Sequence, residues 1–251
     1  MTEARENEIG RVMATDINAH LPLVSDPILD AYVTSLGRLL ASVSSRPGLD
    51  YHFYIIDSSV VNAFALPGGY VYVTRGLIEQ TRNGAELAAV LAHEIGHVAA
   101  RHGVEKLERQ LRTGSVVDLL YTLFLGGEPQ LLRDNALEMA GALWSARHSR
   151  EDEAQADRLA VRYLIKAGFD PDAMVTILQT LLQEERSDGV PRANSWFSSH
   201  PLTSERIDVA KREIQGDLKA APPVARVHLA SYPLFLQRIE ELPPPPDATG
   251  P

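Results

Sequence analysis

Apolar residues recur at helical spacing over most of this chain. The first 45 residues carry two such stripes, one over residues 3–19 and a second that begins after Asp26 and Pro27 and continues to Val43. Asp26 is a good N-cap and Pro27 suits the first position of a helix, so the second stripe predicts a helix with a defined start. We expect residues 1–45 to form a helical cover on the rest of the protein.

The hydrophobic period changes from helical to alternating at Tyr51. The segments YHFYIID, NAFAL and YVYVT are rich in aromatic and β-branched residues, and a Pro-Gly-Gly turn at residues 67–69 separates the last two. Alternation of this kind is typical of strands, and glycine with proline marks the turns between them. The pattern therefore predicts a small sheet of about three strands.

Helical spacing returns after Asn83, a candidate N-cap that has Glu86 three residues later as its capping-box partner. Residues 104–147 are predicted to form further helices. The apolar segment SVVDLLYTLFLGG within them fits a core helix, a mobile lid or a weak membrane-surface contact, and a core helix is favoured.

The last third of the chain carries three more helix signals. They predict a helix from the Ser149 cap to Gly168, one from Pro171 to about Arg186, and one from the Thr203 cap to about Ile214. Residues 187–199 predict a loop that is long enough to suggest a function. The whole pattern predicts an α+β, predominantly α-helical single domain over residues 1–240, followed by a Pro-rich disordered tail or linker at residues 241–251.

Composition and charge exclude several classes of protein. The chain has 251 residues, of which 45% are hydrophobic, so it can bury a sizeable core. The formal net charge is −9 and no long basic run is present, so we expect no nucleic-acid partner. The absence of cysteine excludes disulfides, thiolate ligands of zinc and a cysteine nucleophile.

The sequence predicts no membrane-spanning segment, because no stretch reaches the roughly 18 to 20 apolar residues that a spanning helix needs. The first twelve residues, MTEARENEIGRV, carry acidic side chains where a signal peptide has basic ones. The protein is therefore either cytoplasmic or has had a signal peptide removed before Met1, and composition does not choose between these.

The strongest chemical signal is LAHEIGHVAARH, residues 91–102, which places His93, Glu94 and His97 in the order His-Glu-x-x-His. On a helix the two histidines share one face and can bind one metal ion, while Glu94 points toward a water on that ion. An amphipathic helix with two histidines is the alternative interpretation. His102 lies one residue past the next position of the same series, so we expect it at the surface or as a cation at the helix end.

A zinc ion held by two neutral histidines needs a third protein ligand. With no cysteine in the chain a carboxylate is the natural candidate, and Glu153 lies one helical turn before Asp157. One carboxylate can bind the metal while the other accepts the free N–H of a ligand histidine. A solvated start of a helix is the alternative interpretation of this acidic cluster.

Four motifs in this order, NAFALPGGYVYVTRGLI, HEIGH, SREDEAQAD and SSHPLTSERI, resemble the zinc metallopeptidase family that contains HtpX, the CaaX prenyl proteases and the periplasmic BepA-type proteases. Because the chain lacks hydrophobic spans, it is most similar to the soluble, BepA-like branch. The resemblance implies a zincin-like (gluzincin) fold, with a catalytic core at residues 51–215 and the small sheet beside the HExxH helix. It also implies one Zn²⁺ per chain as the cofactor.

The resemblance implies a role for each residue that matches a family motif. His93, His97 and Glu153 match the metal ligands, Glu94 matches the catalytic acid/base, and Asp157 matches the partner of a ligand histidine.

His200 matches a catalytic-site histidine that either stabilises the oxyanion or caps the ion, and Arg206 matches an arginine that adds positive charge near the oxyanion. The implied substrate-binding residues lie on an edge strand and the turn after it: Asn62, Ala63, Phe64, Ala65, Gly68 and Gly69.

The function implied by the resemblance is that of a zinc-dependent endopeptidase that hydrolyses extended or unfolded proteins in quality control of the cell envelope. The implied location is the periplasm or cell envelope, the outer-membrane assembly machinery is an expected partner, and a cytoplasmic location is the alternative. Two other functions stay open. One is a chaperone or assembly factor that binds extended chains and rarely cuts them, and the other is a closed structural zinc site with four protein ligands.

Overall fold

A computed structural model describes residues 1–112, 148–187, 196–201, 203–220 and 231–246 of the chain. The helices in these ranges are α1 (Glu3–His20), α2 (Pro27–Ser42), α3 (Arg75–Gln80), α4 (Gly84–Ala99), α5 (His102–Arg112), α6 (Arg150–Ala167), α7 (Asp172–Ser187), α8 (Trp196–Ser199), α9 (Ser204–Ala220) and α10 (Tyr232–Glu240). The strands are β1 (His52–Ile56), β2 (Ala63–Leu66) and β3 (Tyr70–Thr74).

The three strands form one mixed sheet in the order β1-β3-β2. β1 and β3 are parallel, whereas β2 and β3 are antiparallel. Gly68 and Gly69 have φ angles of 79° and 92° in the turn between β2 and β3, a conformation that residues with a Cβ rarely adopt. This turn leaves β2 at an edge of the sheet.

Helix α4 lies at the centre of the described core and contacts β2, α2, α6 and α7. Every residue from Leu87 to Val98 is buried. The Asn83 side chain accepts hydrogen bonds from two N–H groups of the first turn, as predicted. The predicted capping box is incomplete, because the Glu86 carboxylate accepts a hydrogen bond from the N–H of Arg82, at 2.7 Å, one residue before the cap.

Helix α6 packs closely along α4 at Gly96. A Cβ at Gly96 would lie 3.1 Å from the carbonyl oxygen of Ala156, which is tighter than an ordinary contact. Both ends of α6 follow the sequence signals, since Ser149 and Asp152 form a capping box and Gly168 closes the helix with a φ of 83°. This close packing brings residues of α4 and α6 together in the site described below.

Helix α1 lies over β2 and β3, and α2 lies over β1 and α4. Ile9 of α1 packs in one cluster with the strand residues Phe64 and Tyr72. The helix also crosses the β2–β3 turn at Gly10, where a Cβ would lie only 1.9 Å from the carbonyl oxygen of Pro67. Only glycine lets α1 approach the turn this closely.

The predicted α+β, predominantly helical single domain with a three-stranded sheet is confirmed. The sequence pattern does not predict α8, which lies in the segment 187–199 expected to be a loop, or α10, whose Phe235 stacks on Tyr32 with ring centroids 4.2 Å apart. Helix α9 starts after Thr203, as predicted, but continues to Ala220.

Some predictions lie outside the described residues, namely those for 113–147, including SVVDLLYTLFLGG, for 188–195 and for 247–251. The start of the segment predicted as a tail contacts the core. The carbonyl oxygens of Leu242 and Pro243 accept hydrogen bonds from the Arg75 side chain, at 3.2 and 2.6 Å. Of the helices in the described ranges, none has the length and apolar character that crossing a membrane requires.

Candidate metal centre

Four buried side chains converge between α4 and α6. They are His93 and His97 on α4, Glu153 on α6, and His200, which directly follows α8. Each offers a ligand atom, and these atoms all lie within 4.8 Å of one another. The Nε2 atoms of His93 and His97 are 3.0 Å apart. Oε1 of Glu153 lies 3.4 Å from Nε2 of His97, and Oε2 lies 3.6 Å from Nε2 of His93.

The second nitrogen of His93 faces a carboxylate. His93 Nδ1 lies 2.9 Å from Asp157 Oδ1. Arg206 on α9 donates hydrogen bonds to both oxygens of Asp157, at 2.8 and 2.7 Å. Its Nη1 lies 2.7 Å from Glu153 Oε2. One guanidinium therefore holds the carboxylates of Asp157 and Glu153 in place.

The charges of this cluster compensate one another. Burial raises the pKa of Glu153 and of Asp157, but Arg206 outweighs burial and holds both pKa values below their ordinary range. Burial lowers the pKa of His93, but its hydrogen bonds with Asp157 and Glu153 outweigh this effect and raise the pKa to about 9. Burial holds the pKa of His97 well below its ordinary value. Near pH 7 the carboxylates are therefore ionised and His97 is neutral, which is the state that metal ligands need. His93 is protonated in the metal-free protein and would release its proton on binding a metal ion.

Glu94 lies in the cleft next to the convergent side chains. Its Oε1 is buried and has no hydrogen-bond partner within the described part of the chain, and His200 Nε2 lies 3.7 Å away. Burial raises the pKa of the Glu94 carboxyl. The edge-strand residues Phe64 and Ala65 line the same cleft. A potential acid/base group, the donor cluster and a strand edge thus share one cleft.

His200 is held in the cluster by Trp196. The two rings stack with centroids 4.2 Å apart, and the backbone N–H of His200 donates a 2.8 Å hydrogen bond to the Trp196 carbonyl oxygen. The backbone N–H of Trp196 in turn donates a 2.8 Å hydrogen bond to the carbonyl oxygen of Val61, just before β2. His200 Nδ1 lies 3.0 Å from Glu153 Oε1 and 3.4 Å from His93 Nε2. Sequence reasoning missed Trp196, because a tryptophan in a predicted loop carries no spacing signal.

The donor set fits a divalent metal ion. Imidazole nitrogens and a carboxylate oxygen are preferred ligands of transition metals, and a ligand histidine usually gives its second nitrogen to a carboxylate, as His93 does with Asp157. The buried Oε1 of Glu94 fits the same conclusion, because a buried polar atom without a protein partner indicates a site for a polar ligand.

Two further histidines lie against His97, and the prediction for one of them was wrong. His102 was expected at the surface or helix end, but it is only 4% exposed and its Nδ1 lies 2.8 Å from Nδ1 of His97. The reason is that the helix does not continue, since Arg101 has a φ of 63° and a separate helix begins at His102. His148, which the sequence pattern does not single out, has its ring centroid 4.1 Å from that of His97.

The six predicted substrate-binding residues divide into two groups. Phe64 and Ala65 line the cleft, together with Leu66 and Pro67. The other four belong to the pairing of β2 with β3 and to the turn between these strands: Asn62, Ala63, Gly68 and Gly69. A direct contact of these four with substrate stays a prediction.

Residues 27–214 match the model of a protein family described as Peptidase family M48. The chain is 32% identical over 215 residues to the Beta-barrel assembly-enhancing protease of Escherichia coli strain K12, which covers 82% of this chain and 43% of that protein. It is 34% identical over 209 residues to a putative protease of the same name from Vibrio cholerae, and the match covers 80% of this chain and 43% of that protein. The mitochondrial metalloendopeptidase OMA1 of Schizosaccharomyces pombe is 32% identical to it over 177 residues, and the match covers 70% of this chain and 50% of that protein.

The chain thus spans less than half the length of the β-barrel assembly-enhancing proteases that it matches. The family match begins at the first residue of α2 and ends within α9, so it includes the sheet and every residue of the donor cluster. The family that the four sequence motifs resemble is confirmed by this match. The chain belongs to peptidase family M48, whose peptidases depend on a metal ion.

Proposed function

We propose that this protein is a zinc-dependent endopeptidase that cleaves extended or unfolded polypeptides. The observation that carries the proposal is the convergence of His93, His97 and Glu153 beside the buried carboxyl of Glu94. Two imidazoles and one carboxylate are a common ligand set of catalytic zinc, which keeps a further position open.

His93, His97 and Glu153 are the proposed zinc ligands, and Asp157 and Arg206 are their positioning residues. Asp157 fixes the ring of His93 through Nδ1. Arg206 was expected to act on the oxyanion, but all its described side-chain contacts in the site are with Asp157 and Glu153. We therefore assign it to positioning the two carboxylates rather than to contact with the substrate.

Glu94 is the proposed general base and acid. A zinc ion in this site supplies a Lewis acid for the scissile carbonyl and acidifies a water molecule. Glu94 Oε1 then takes the proton of the attacking water and returns it to the nitrogen of the leaving amine. The raised pKa of the buried Glu94 carboxyl supports both transfers, because it brings the pKa closer to the working pH.

The edge of β2 is the proposed docking strand for the substrate. β2 pairs with β3 on one side only, and its residues Phe64 and Ala65 line the cleft of Glu94. An extended peptide can add to such an edge through main-chain hydrogen bonds, which selects unfolded or extended chains over compact folds.

His200 is proposed to cap the site in the state described. Its Nδ1 lies 3.0 Å from Glu153 Oε1 and 3.4 Å from His93 Nε2, where it would act as a fourth ligand of a bound zinc ion in place of water. If so, His200→Ala raises casein cleavage and keeps the protein folded, with a loss of about 1 to 3 kcal/mol of unfolding free energy for the buried ring. Lower cleavage with an intact fold supports an oxyanion role instead, and loss of the fold supports a structural zinc site.

A role in quality control of the cell envelope is proposed from the relatives. The relatives from Escherichia coli and Vibrio cholerae are named for the enhancement of β-barrel assembly. Bacterial β-barrels lie in the outer membrane, so the proposed location is the periplasm and the proposed partner is the outer-membrane assembly machinery. Fractionation of cells that express the full-length protein tests this, and recovery in the cytoplasm alone contradicts it.

Cleavage of casein by the wild type and by Glu94→Gln tests the proposed activity. We expect the variant to keep its metal and to lose roughly 100- to 10,000-fold in cleavage rate, the usual contribution of a general base. Glu105→Gln, which changes an exposed glutamate of α5, is the matched control and should cleave like the wild type. A wild type that binds casein but cleaves it under no condition would instead support the chaperone function.

A further inference from the structure

The second nitrogen of His97 has a partner of its own, and it is another histidine. His97 Nδ1 lies 2.8 Å from Nδ1 of His102, and Nε2 of His102 lies 3.3 Å from Oε1 of Gln155. Given the proposed role of His97 as a zinc ligand, we propose that His102, backed by Gln155, is the positioning residue that fixes the tautomer and orientation of His97.

The positions of the hydrogens that link His97, His102 and Gln155 follow from the ligand role of His97. A neutral imidazole that binds a metal through Nε2 carries its hydrogen on Nδ1. His97 therefore donates from Nδ1, and Nδ1 of His102 must accept. The hydrogen of His102 then lies on Nε2, which donates to the side-chain oxygen of Gln155. All three side chains are satisfied by one arrangement of hydrogens.

A strained backbone residue puts His102 in this position. Arg101 has a φ of 63° and is the one residue other than glycine with a positive φ in the described ranges. It separates α4 from α5, so that His102 returns to the side of His97 instead of continuing along the helix. The Arg101 side chain is fixed by Glu6, at 3.0 Å, and by the carbonyl oxygen of Met1, at 2.8 Å. A conformation held this firmly near an active site points to a functional purpose.

The two proposed histidine ligands are thus supported differently. His93 faces the carboxylate of Asp157, whose charge is compensated by Arg206. His97 faces another histidine, His102, whose Nε2 lies 3.3 Å from Oε1 of Gln155 on the exposed side of α6 and 3.7 Å from Oδ1 of Asp152. Both supports come through α6, the helix that also supplies Glu153, so this helix orients both ligand rings.

The same geometry argues against a second metal ion bound by His97, His102 and His148, whose nitrogens also lie close together. His97 has two ring nitrogens, and the proposed zinc uses Nε2. A second ion on Nδ1 would require removal of the imidazole hydrogen, whereas a hydrogen bond to His102 uses it.

The test compares the zinc affinity of His102→Asn with that of His102→Leu, measured by competition with a chromogenic chelator. Asparagine and leucine have the same shape, and only asparagine offers an oxygen where Nδ1 of His102 accepts. We expect the His102→Leu variant to bind zinc about 10- to 100-fold more weakly than the His102→Asn variant, the usual effect of losing such a partner. Asn should stay within about threefold of the wild type. Circular dichroism and the melting temperature of each metal-free variant check that the fold is kept.

Equal zinc affinity of the two variants overturns the role of His102 while the proposed function stands. If the wild type binds no zinc, the proposed function itself fails. A second zinc ion per chain that disappears in both variants also overturns the inference. Should His102→Leu not fold, Gln155→Leu replaces it, with an expected loss of severalfold in zinc affinity, and unchanged affinity counts against the inference.

Discussion

Replacement of Arg206 by methionine removes the guanidinium that lies between two buried carboxylates. Arg206 makes three contacts of 2.7 to 2.8 Å with Asp157 and Glu153, and all three residues are at most 4% exposed. Methionine keeps much of the length of the side chain but offers no hydrogen-bond donor. The carboxylates then stay buried without their partner.

The expected cost is about 3 to 5 kcal/mol of unfolding free energy for the metal-free protein at pH 7, as for other buried ion pairs that lose one member. For a chain of this size that corresponds to a fall of roughly 10 °C in melting temperature. Arg162→Met is the matched control, because Arg162 bridges the same two helices, α6 and α9, to Glu213 at 2.7 Å but is half exposed. An exposed pair contributes only about 0 to 1 kcal/mol.

The pH dependence tests the reason for this cost. In the wild type, Arg206 depresses the pKa values of Asp157 and Glu153, so their stabilising effect is present above the ordinary carboxyl pKa near 4 and is lost as the pH falls through the depressed values. In the variant, burial raises both pKa values, so stability is lost as the pH rises through them. The difference between wild type and variant should therefore be largest near pH 7 and shrink toward pH 4.5.

Urea unfolding of both chelator-treated proteins at pH 7 and pH 4.5 measures this difference. A loss below about 1 kcal/mol at pH 7, like that of an exposed pair, would refute the argument that Arg206 compensates two buried charges. A loss of the same size at both pH values would refute its electrostatic origin.

Two further substitutions have expected outcomes. Asp157→Asn removes the charged partner of His93 and should weaken zinc binding about 10- to 100-fold in a chelator competition, whereas unchanged affinity would separate Asp157 from the metal site. Gly10→Ala should destabilise the protein by about 1 to 3 kcal/mol in urea unfolding, because its Cβ would overlap the Pro67 carbonyl. Gly216→Ala, where a Cβ meets nothing, should stabilise it by up to about 1 kcal/mol, and equal effects at both glycines would contradict the packing of α1 on the turn.

The elements that the sequence predicts well are those whose signals are local. The Asn83 cap, the strand alternation after Tyr51 and the Ser149 cap each depend on neighbouring residues, and the structure has all three. Helix α10 has a weaker local signal, Pro233 in its first turn, and its cap residue Ser231 makes no side-chain hydrogen bond. Its position comes from tertiary contacts, such as the hydrogen bond of the Tyr232 hydroxyl to the carbonyl oxygen of Thr81 at 2.9 Å.

The site follows the same rule. Helical spacing predicts that His93 and His97 share a face, and the structure has their Nε2 atoms 3.0 Å apart. The place of His102 depends on one left-handed residue, Arg101, that no hydrophobic period reveals. The contacts of Arg206 with Asp157 depend on the packing of α9 against α6, which the sequence pattern does not contain.

The zinc content of the purified wild type and of Glu153→Ala tests the central claim most directly, because it asks whether α4 and α6 together hold a metal ion. The account predicts close to one zinc ion per wild-type chain after dialysis against metal-free buffer, and a large loss of zinc in the variant, whose fold is checked by circular dichroism. Near-zero zinc in the wild type, or equal zinc in both proteins, would contradict the account.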